Sequence, residues 1–261
     1  MRLQELYRQT ESPIVTAHRG FSGRYPENTL LAFLKAVELG VDIVEFDVRE
    51  SSDGALVVIH DALLDRTTNA MGPVVRKSLD ELKRLNAGYW NGPHDRGERT
   101  AIPAYEVNIP TLEETLRVLA GKVGLNIQIY TERPESLEKI VRHYLDYDLR
   151  DSGFLMLGSF PQGELVRGLS PDVAICIGEE RNQIDRHVAF GVDFIQPTRE
   201  CLTTDYVRRL LESRIPANVF YANDPDDMLV MIEQGLPGIM TDVPDILINL
   251  IHAKRNGCDK G

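Results

Sequence analysis

Three cysteines in 261 residues, Cys176, Cys201 and Cys258, are too few and too irregularly spaced for a disulfide framework or a zinc site. Thiols used this sparingly suit a reducing compartment, so a cytoplasmic protein is expected. The chain also lacks a basic excess: 29 Lys and Arg face 40 Asp and Glu, a net charge of −11. That balance argues against a nucleic-acid partner, whose phosphates call for clustered cations. Long apolar runs are missing as well. The first residues, MRLQELYRQTESP, have no apolar signal-peptide core, and no stretch of about 18 apolar residues is present to span a membrane. Membrane insertion is therefore not expected. No fixed-period repeat, low-complexity tract or Pro/Gly/Ser-rich linker divides the chain, so residues 1–261 read as one domain with a single sizeable core.

What is present is a rhythm of short β-branched runs and longer helical patterns. The runs are IVTAH at 14–18, IVEFDV at 43–48, LVVIH at 56–60, LNIQIY at 125–130 and FLMLGSF at 154–160, then VAICIG at 173–178, VDFIQP at 192–197, ANVFYAN at 217–223 and GIMTD at 238–242. Alternation of this kind predicts a parallel sheet covered by helices. Nine runs are one too many for an eight-stranded barrel. RESSDGA, between the second and third, is too short for a crossover helix and carries good turn chemistry. The expected fold is thus α/β, a TIM-type (β/α)8 barrel with an additional β-hairpin arm over 43–60. A turn centred on Ser52 and Asp53 would set residue 45 roughly opposite residue 60 and bring His60 towards Glu45 and Asp47. Residues 61–110 read as an irregular cap or insertion segment over the barrel mouth. Helix starts are legible in SLDEL at 78–82 and TLEETL at 111–116, which have capping-box spacing, and in NTLLAFLKAVELG, with Asn28 as cap and Gly40 as stop.

Glu45 and Asp47 lie two apart on a strand, so both carboxylates share one side. Inside a barrel they repel unless a cation lies between them, and hard oxygen ligands suit Mg²⁺ or Ca²⁺. Simple pairing with Arg or Lys on neighbouring strands is the competing explanation. His18 and His60 each end a β-rich run, where barrel active sites gather. Two imidazoles and Arg19 around a cation match phosphodiester cleavage: one His takes a proton from the attacking oxygen, the other protonates the leaving oxygen, and the cations hold the phosphoryl oxygens. An amidohydrolase-like barrel fits less well, because its HxH pair is absent: His18 is followed by Arg19 and Gly20.

HRG, PENTLLAF, GVDIVEFDV, DGALVVIHD, IPTLEETL, GSF, ND and GIMTDVPD, from about residue 14 to residue 245, resemble the glycerophosphodiester phosphodiesterase family in order and spacing. The resemblance implies a barrel, one divalent cation and hydrolysis of a small-molecule glycerophosphodiester to glycerol 3-phosphate and an alcohol. By position it puts the catalytic histidines on His18 and His60, the phosphate-contacting arginine on Arg19, and two metal carboxylates on Glu45 and Asp47. Glu27, in the PENT match, is placed to buttress Arg19. The third metal ligand falls on Gln128 and a usual lysine on Tyr130, where the family typically has NIEIK and this chain has NIQIY. A neutral amide still coordinates a hard cation, with lower affinity, and the lost ammonium weakens phosphate binding. FYAN at 220–223 is a second departure and puts Phe220 in the substrate wall. Trp90, with Tyr89, is a further candidate for lining the entrance. Glu132, Glu179 and Glu180 are candidates for the missing charge. Asp242 reads as a helix cap, and His94, His143, His187 and His252 receive no role. The alternative to an active enzyme is a weakened or inactive relative that binds a glycerophosphoryl ligand.

Overall fold

The computed structural model describes residues 2–89, 100–131, 133–179 and 183–258. Strands β1 (Ile14–Ala17), β2 (Ile43–Glu50), β3 (Leu56–Val58), β4 (Gly124–Ile129), β5 (Gly153–Leu157), β6 (Ile175–Glu179), β7 (Phe194–Pro197) and β8 (Gly238–Thr241) belong to one sheet, ordered β7-β6-β5-β4-β2-β1-β8 with β3 off the path against β2. All neighbours are parallel except the β2–β3 pair. The gap between β7 and β8 is filled by residues 217–222. Asn218 N donates to Ile195 O and Phe220 N to Pro197 O on one side, while Val219 N donates to Gly238 O and Ala222 N to Met240 O on the other. The eight parallel runs therefore close as a TIM-type barrel, with β3 as the extra hairpin arm.

The hairpin register differs by one residue from the expectation. Val48 pairs Val58 and Glu50 pairs Leu56. Ser51 and Ala55 close a loop of Ser52, Asp53 and Gly54, the last with φ +75°. An odd, three-residue loop ending in a left-handed glycine shifts register by one relative to a two-residue turn.

Inside the barrel, Ile14, Ile43, Phe154, Met156, Cys176 and Phe194 form a layer that Leu3 of the helix Leu3–Gln9 closes from the N-terminal end. Phe154 and Phe194 stack with centroids 4.2 Å apart. This apolar plug leaves polar residues to the opposite, C-terminal end of the strands. Outside, Phe46, Leu125, Ile127 and their neighbours pack beneath helices such as Leu112–Leu119. Ser78 and Thr111 each form a complete capping box, with Glu81 and Glu114. The described part of 61–110 is less irregular than its composition indicates: Leu64, Val74, Leu82, Ala87 and Ile109 form a small core with Val57 and Ile59. Among the described residues, no helix is long and apolar enough to cross a membrane.

Candidate functional site

The chain leaves β1 through a tight loop. Arg19 and Gly20 adopt φ of 57° and +79°. A Cβ on Gly20 would lie 2.8 Å from the Ala32 carbonyl carbon, so only glycine lets the loop press against the following helix. The left-handed turn costs Arg19 about 1–2 kcal/mol and aims its backbone N–H at Glu45 Oε2, 2.8 Å away. Asn28 is not the helix cap. It has φ 56°, and its side chain holds Asp47 at both ends, Nδ2 donating to Oδ2 at 2.7 Å and Oδ1 accepting from Asp47 N at 3.2 Å. Thr29 caps the helix instead, through Ala32 N.

Glu45 and Asp47 are fully buried and share the inner face of β2. The ion-pair explanation holds in part, since Arg19 Nε lies 3.4 Å from Asp47 Oδ2. It leaves Glu45 Oε1 and Asp47 Oδ1 buried with no hydrogen-bond partner. Burial, then Asp47, push the Glu45 carboxyl well above the usual range against the pull of Arg19. Two orphaned, mutually repelling carboxylate oxygens fit a hard divalent cation. Gln128 stands beside Asp47 in the β2–β4 register and donates Nε2 to Tyr130 Oη at 2.8 Å, which leaves its amide oxygen as an acceptor. No cluster of three or more His, Cys, Asp or Glu suited to a metal occurs among the described residues.

His18 and His60 flank this pair, His18 beyond the end of β1 and His60 beyond the end of β3, both strands being neighbours of β2. His18 Nδ1 lies 2.7 Å from Asp242 Oδ1, which also accepts from Ser22 Oγ at 2.8 Å, while Asn223 Nδ2 donates to Oδ2 at 2.5 Å. Asp242 thus carries far more than helix-start chemistry. Phe220 meets the His18 ring edge-on at 5.3 Å, and Tyr221 stacks on it at 5.4 Å. Both aromatics also line a cleft of about 710 Å³ with Thr198, Arg199 and Asn223.

His60 Nδ1 lies 2.7 Å from Asp61 Oδ1. Its ring contacts Tyr130 edge-on at 5.5 Å. Arg49, two residues beyond Asp47, places its guanidinium 4.2 Å from the Tyr130 centroid and donates Nε to His60 O. Burial lowers the Arg49 pKa, and among the described residues no carboxylate forms an ion pair with it. Arg19, by contrast, is 4% exposed and donates Nη1 to Glu27 at 2.8 Å. Burial opposes ionisation of Glu27, yet Arg19 and Arg66 together bring its pKa down to about 2.

The structure therefore brings together His18, Arg19, Glu45, Asp47, His60, Gln128, Tyr130 and Phe220. Trp90, His94, Glu132, Glu180 and the Glu179 side chain lie outside the described residues, as do residues 90–99 of the segment expected to form a cap; Tyr89 is half-buried. Asp61, Arg66, Asn223, Tyr221 and Arg49 were not singled out by the sequence. Asp61 had a local signal in its position directly after His60, and Tyr221 and Asn223 had one in the FYAN stretch; Arg49 and Arg66 had none.

A closed barrel with two aspartate-paired histidines beside a buried carboxylate pair defines the class: a barrel enzyme with its polar centre at the C-terminal ends of the strands. Residues 18–160 match the glycerophosphoryl diester phosphodiesterase family. The chain is 34% identical over 248 residues to a glycerophosphodiester phosphodiesterase of Caldanaerobacter subterraneus subsp. tengcongensis, covering 92% of this chain and 98% of that one. The chain belongs to this family of phosphoric diester hydrolases. In fold it is similar to a putative glycerophosphoryl diester phosphodiesterase from Silicibacter pomeroyi, with TM-score 0.85, 21% identity and 96% and 97% of the two chains covered. A phosphodiesterase of Oleispira antarctica, solved in complex with the product sn-glycerol-3-phosphate, aligns with TM-score 0.76 at 27% identity over 92% of this chain and 97% of that chain.

Proposed function

We propose that this protein hydrolyses soluble glycerophosphodiesters to glycerol 3-phosphate and an alcohol. The observation that carries the proposal is the pairing of each histidine, through Nδ1 at 2.7 Å, with its own aspartate: His18, just after β1, with Asp242, just after β8, and His60, after β3, with Asp61. Such pairing fixes the tautomer and leaves Nε2 as the nitrogen that exchanges a proton. His18 and His60 then share the proton work, one accepting from the attacking oxygen and the other donating to the departing alkoxide. Glu45, Asp47 and the Gln128 amide oxygen would hold Mg²⁺ or Ca²⁺, and the bound cation would supply positive charge against the phosphoryl oxygens. Arg19 locks Glu27, Asp47 and Glu45 in place, and Arg49 offers the cationic donors that Tyr130 lacks. Phe220 and Tyr221 lead from His18 into the cleft suited to the alcohol. The buried cysteines Cys176 and Cys201, not joined in a disulfide, accord with a cytoplasmic setting.

The test is release of glycerol 3-phosphate from a panel of choline, ethanolamine and glycerol diesters, with Mg²⁺, Ca²⁺ or chelator. Cation-dependent release is expected. Calorimetric binding of glycerol 3-phosphate with no turnover of any diester would establish the inactive binder in its place.

A further inference from the structure

We infer that Arg66 is a positioning residue for this hydrolysis, a guanidinium clamp that ties the carboxylate partner of His60 to the carboxylate partner of Arg19. The inference rests on the function proposed above. Arg66 Nε donates to Asp61 Oδ2 at 2.7 Å and Nη2 to Asp61 Oδ1 at 2.9 Å. Its Nη1 donates to Glu27 Oε2 at 2.7 Å and Nη2 to Glu27 Oε1 at 2.8 Å. Both carboxylates are thus gripped bidentately by one planar fork. Each is already engaged with a residue of the site: Asp61 Oδ1 with His60 Nδ1, and Glu27 Oε1 with Arg19 Nη1.

The consequence is geometric. Glu27 belongs to the loop after β1, whereas Asp61 and Arg66 belong to the segment after β3; β1 pairs with the first part of β2 and β3 with its last part, both on the edge opposite β4. Arg66 therefore fixes the spacing between the wall carrying Arg19 and the wall carrying His60. Its side chain is 15% exposed, so these charge-assisted bonds are largely shielded from water and salt. His60 also meets the Tyr130 ring, just after β4, and, through its own carbonyl, Arg49 of β2, and neither of these forms a hydrogen bond with the Asp61 carboxylate. Removing the clamp leaves Asp61 and Glu27 without the cation between them. The two loops then separate, and His60 loses its fixed approach to the reacting oxygen. A lysine restores the charge but cannot hold two carboxylates in parallel forks.

The experiment compares wild type, Arg66→Met and Arg66→Lys by melting, by steady-state hydrolysis of a glycerophosphodiester with saturating Mg²⁺, and by the downfield NMR resonance of the His60 Nδ1 proton. That resonance is assigned by its disappearance in His60→Gln. In Arg66→Met kcat should fall about 10²-fold with KM within about threefold, because misplacement of the acid/base group acts on the chemical step. The resonance should broaden or vanish. Arg66→Lys should melt closer to wild type and recover no more than about a tenth of the lost kcat. Near-wild-type kcat in either variant, or a sharp resonance retained in both, overturns the clamp. If Arg66→Met does not fold, Arg66→Lys decides by the same two readouts. A wild type that releases no glycerol 3-phosphate overturns the proposed function, and the resonance then judges the clamp by itself.

Discussion

Asp242→Asn removes one charge at nearly constant shape from the most heavily bonded carboxylate of the site. Oδ1 meets His18 Nδ1 and Ser22 Oγ, and Oδ2 meets Asn223 Nδ2. The substituted amide has one oxygen for these two sides. If the oxygen stays on the His18 side, its NH₂ faces the Asn223 NH₂ across a 2.5 Å gap, donor against donor. Turning Asn223 over breaks the bonds its Oδ1 accepts from Asp242 N and Thr241 Oγ1. If the new amide turns instead, it presents a donor to His18 Nδ1 and forces the other tautomer, with the proton on Nε2. Either arrangement forfeits a buried bond worth about 1–3 kcal/mol of stability. Catalytically the loss is larger, because neither arrangement supplies the anion that supports an imidazolium: kcat should fall about 10²–10⁴-fold. Steady-state hydrolysis with saturating cation, alongside thermal melts, measures both effects. A folded Asp242→Asn protein turning over within about threefold of wild type would refute the assignment of His18 as a proton-transfer group.

Gln128→Glu adds a third carboxylate beside Asp47, so Mg²⁺ affinity measured by calorimetry should rise about tenfold or more; unchanged or reduced affinity would remove Gln128 from the metal site. Arg49→Gln takes away a guanidinium that pairs with no carboxylate among the described residues, and should raise KM for the diester about tenfold with little change in kcat. An unaltered KM would show that Arg49 does not meet the phosphate. Glu27, held near pKa 2 against an ordinary 4.5, contributes stability that is fully present above about pH 4.5 and is lost as pH falls through about 2. Relative to wild type, Glu27→Gln should cost about 3 kcal/mol at pH 7 and progressively less on acidification through that window, followed by denaturant melts. A difference constant between pH 7 and pH 2 would contradict this.

The sequence by itself determined what depends on short-range periodicity and steric rules. Eight parallel runs and a hairpin follow from apolar patterning and the length of RESSDGA. The capping boxes at Ser78 and Thr111 follow from a three-residue spacing, and the common face of Glu45 and Asp47 follows from the two-residue repeat of a strand. Motif order carried the family. Tertiary structure alone decided the partners. His18 meets Asp242 across 224 positions, and Arg66 meets Glu27 across 39. Contacts at such separations exist only once the barrel closes and two loops adopt particular backbones. Asn28 looked like a cap because its residue type suits one, but a left-handed φ of 56° turns its side chain to Asp47 and leaves the cap to Thr29. The hairpin register slipped by one for a similar reason: Gly54, at φ +75°, selects a three-residue loop that residue types in the turn do not distinguish from a shorter one.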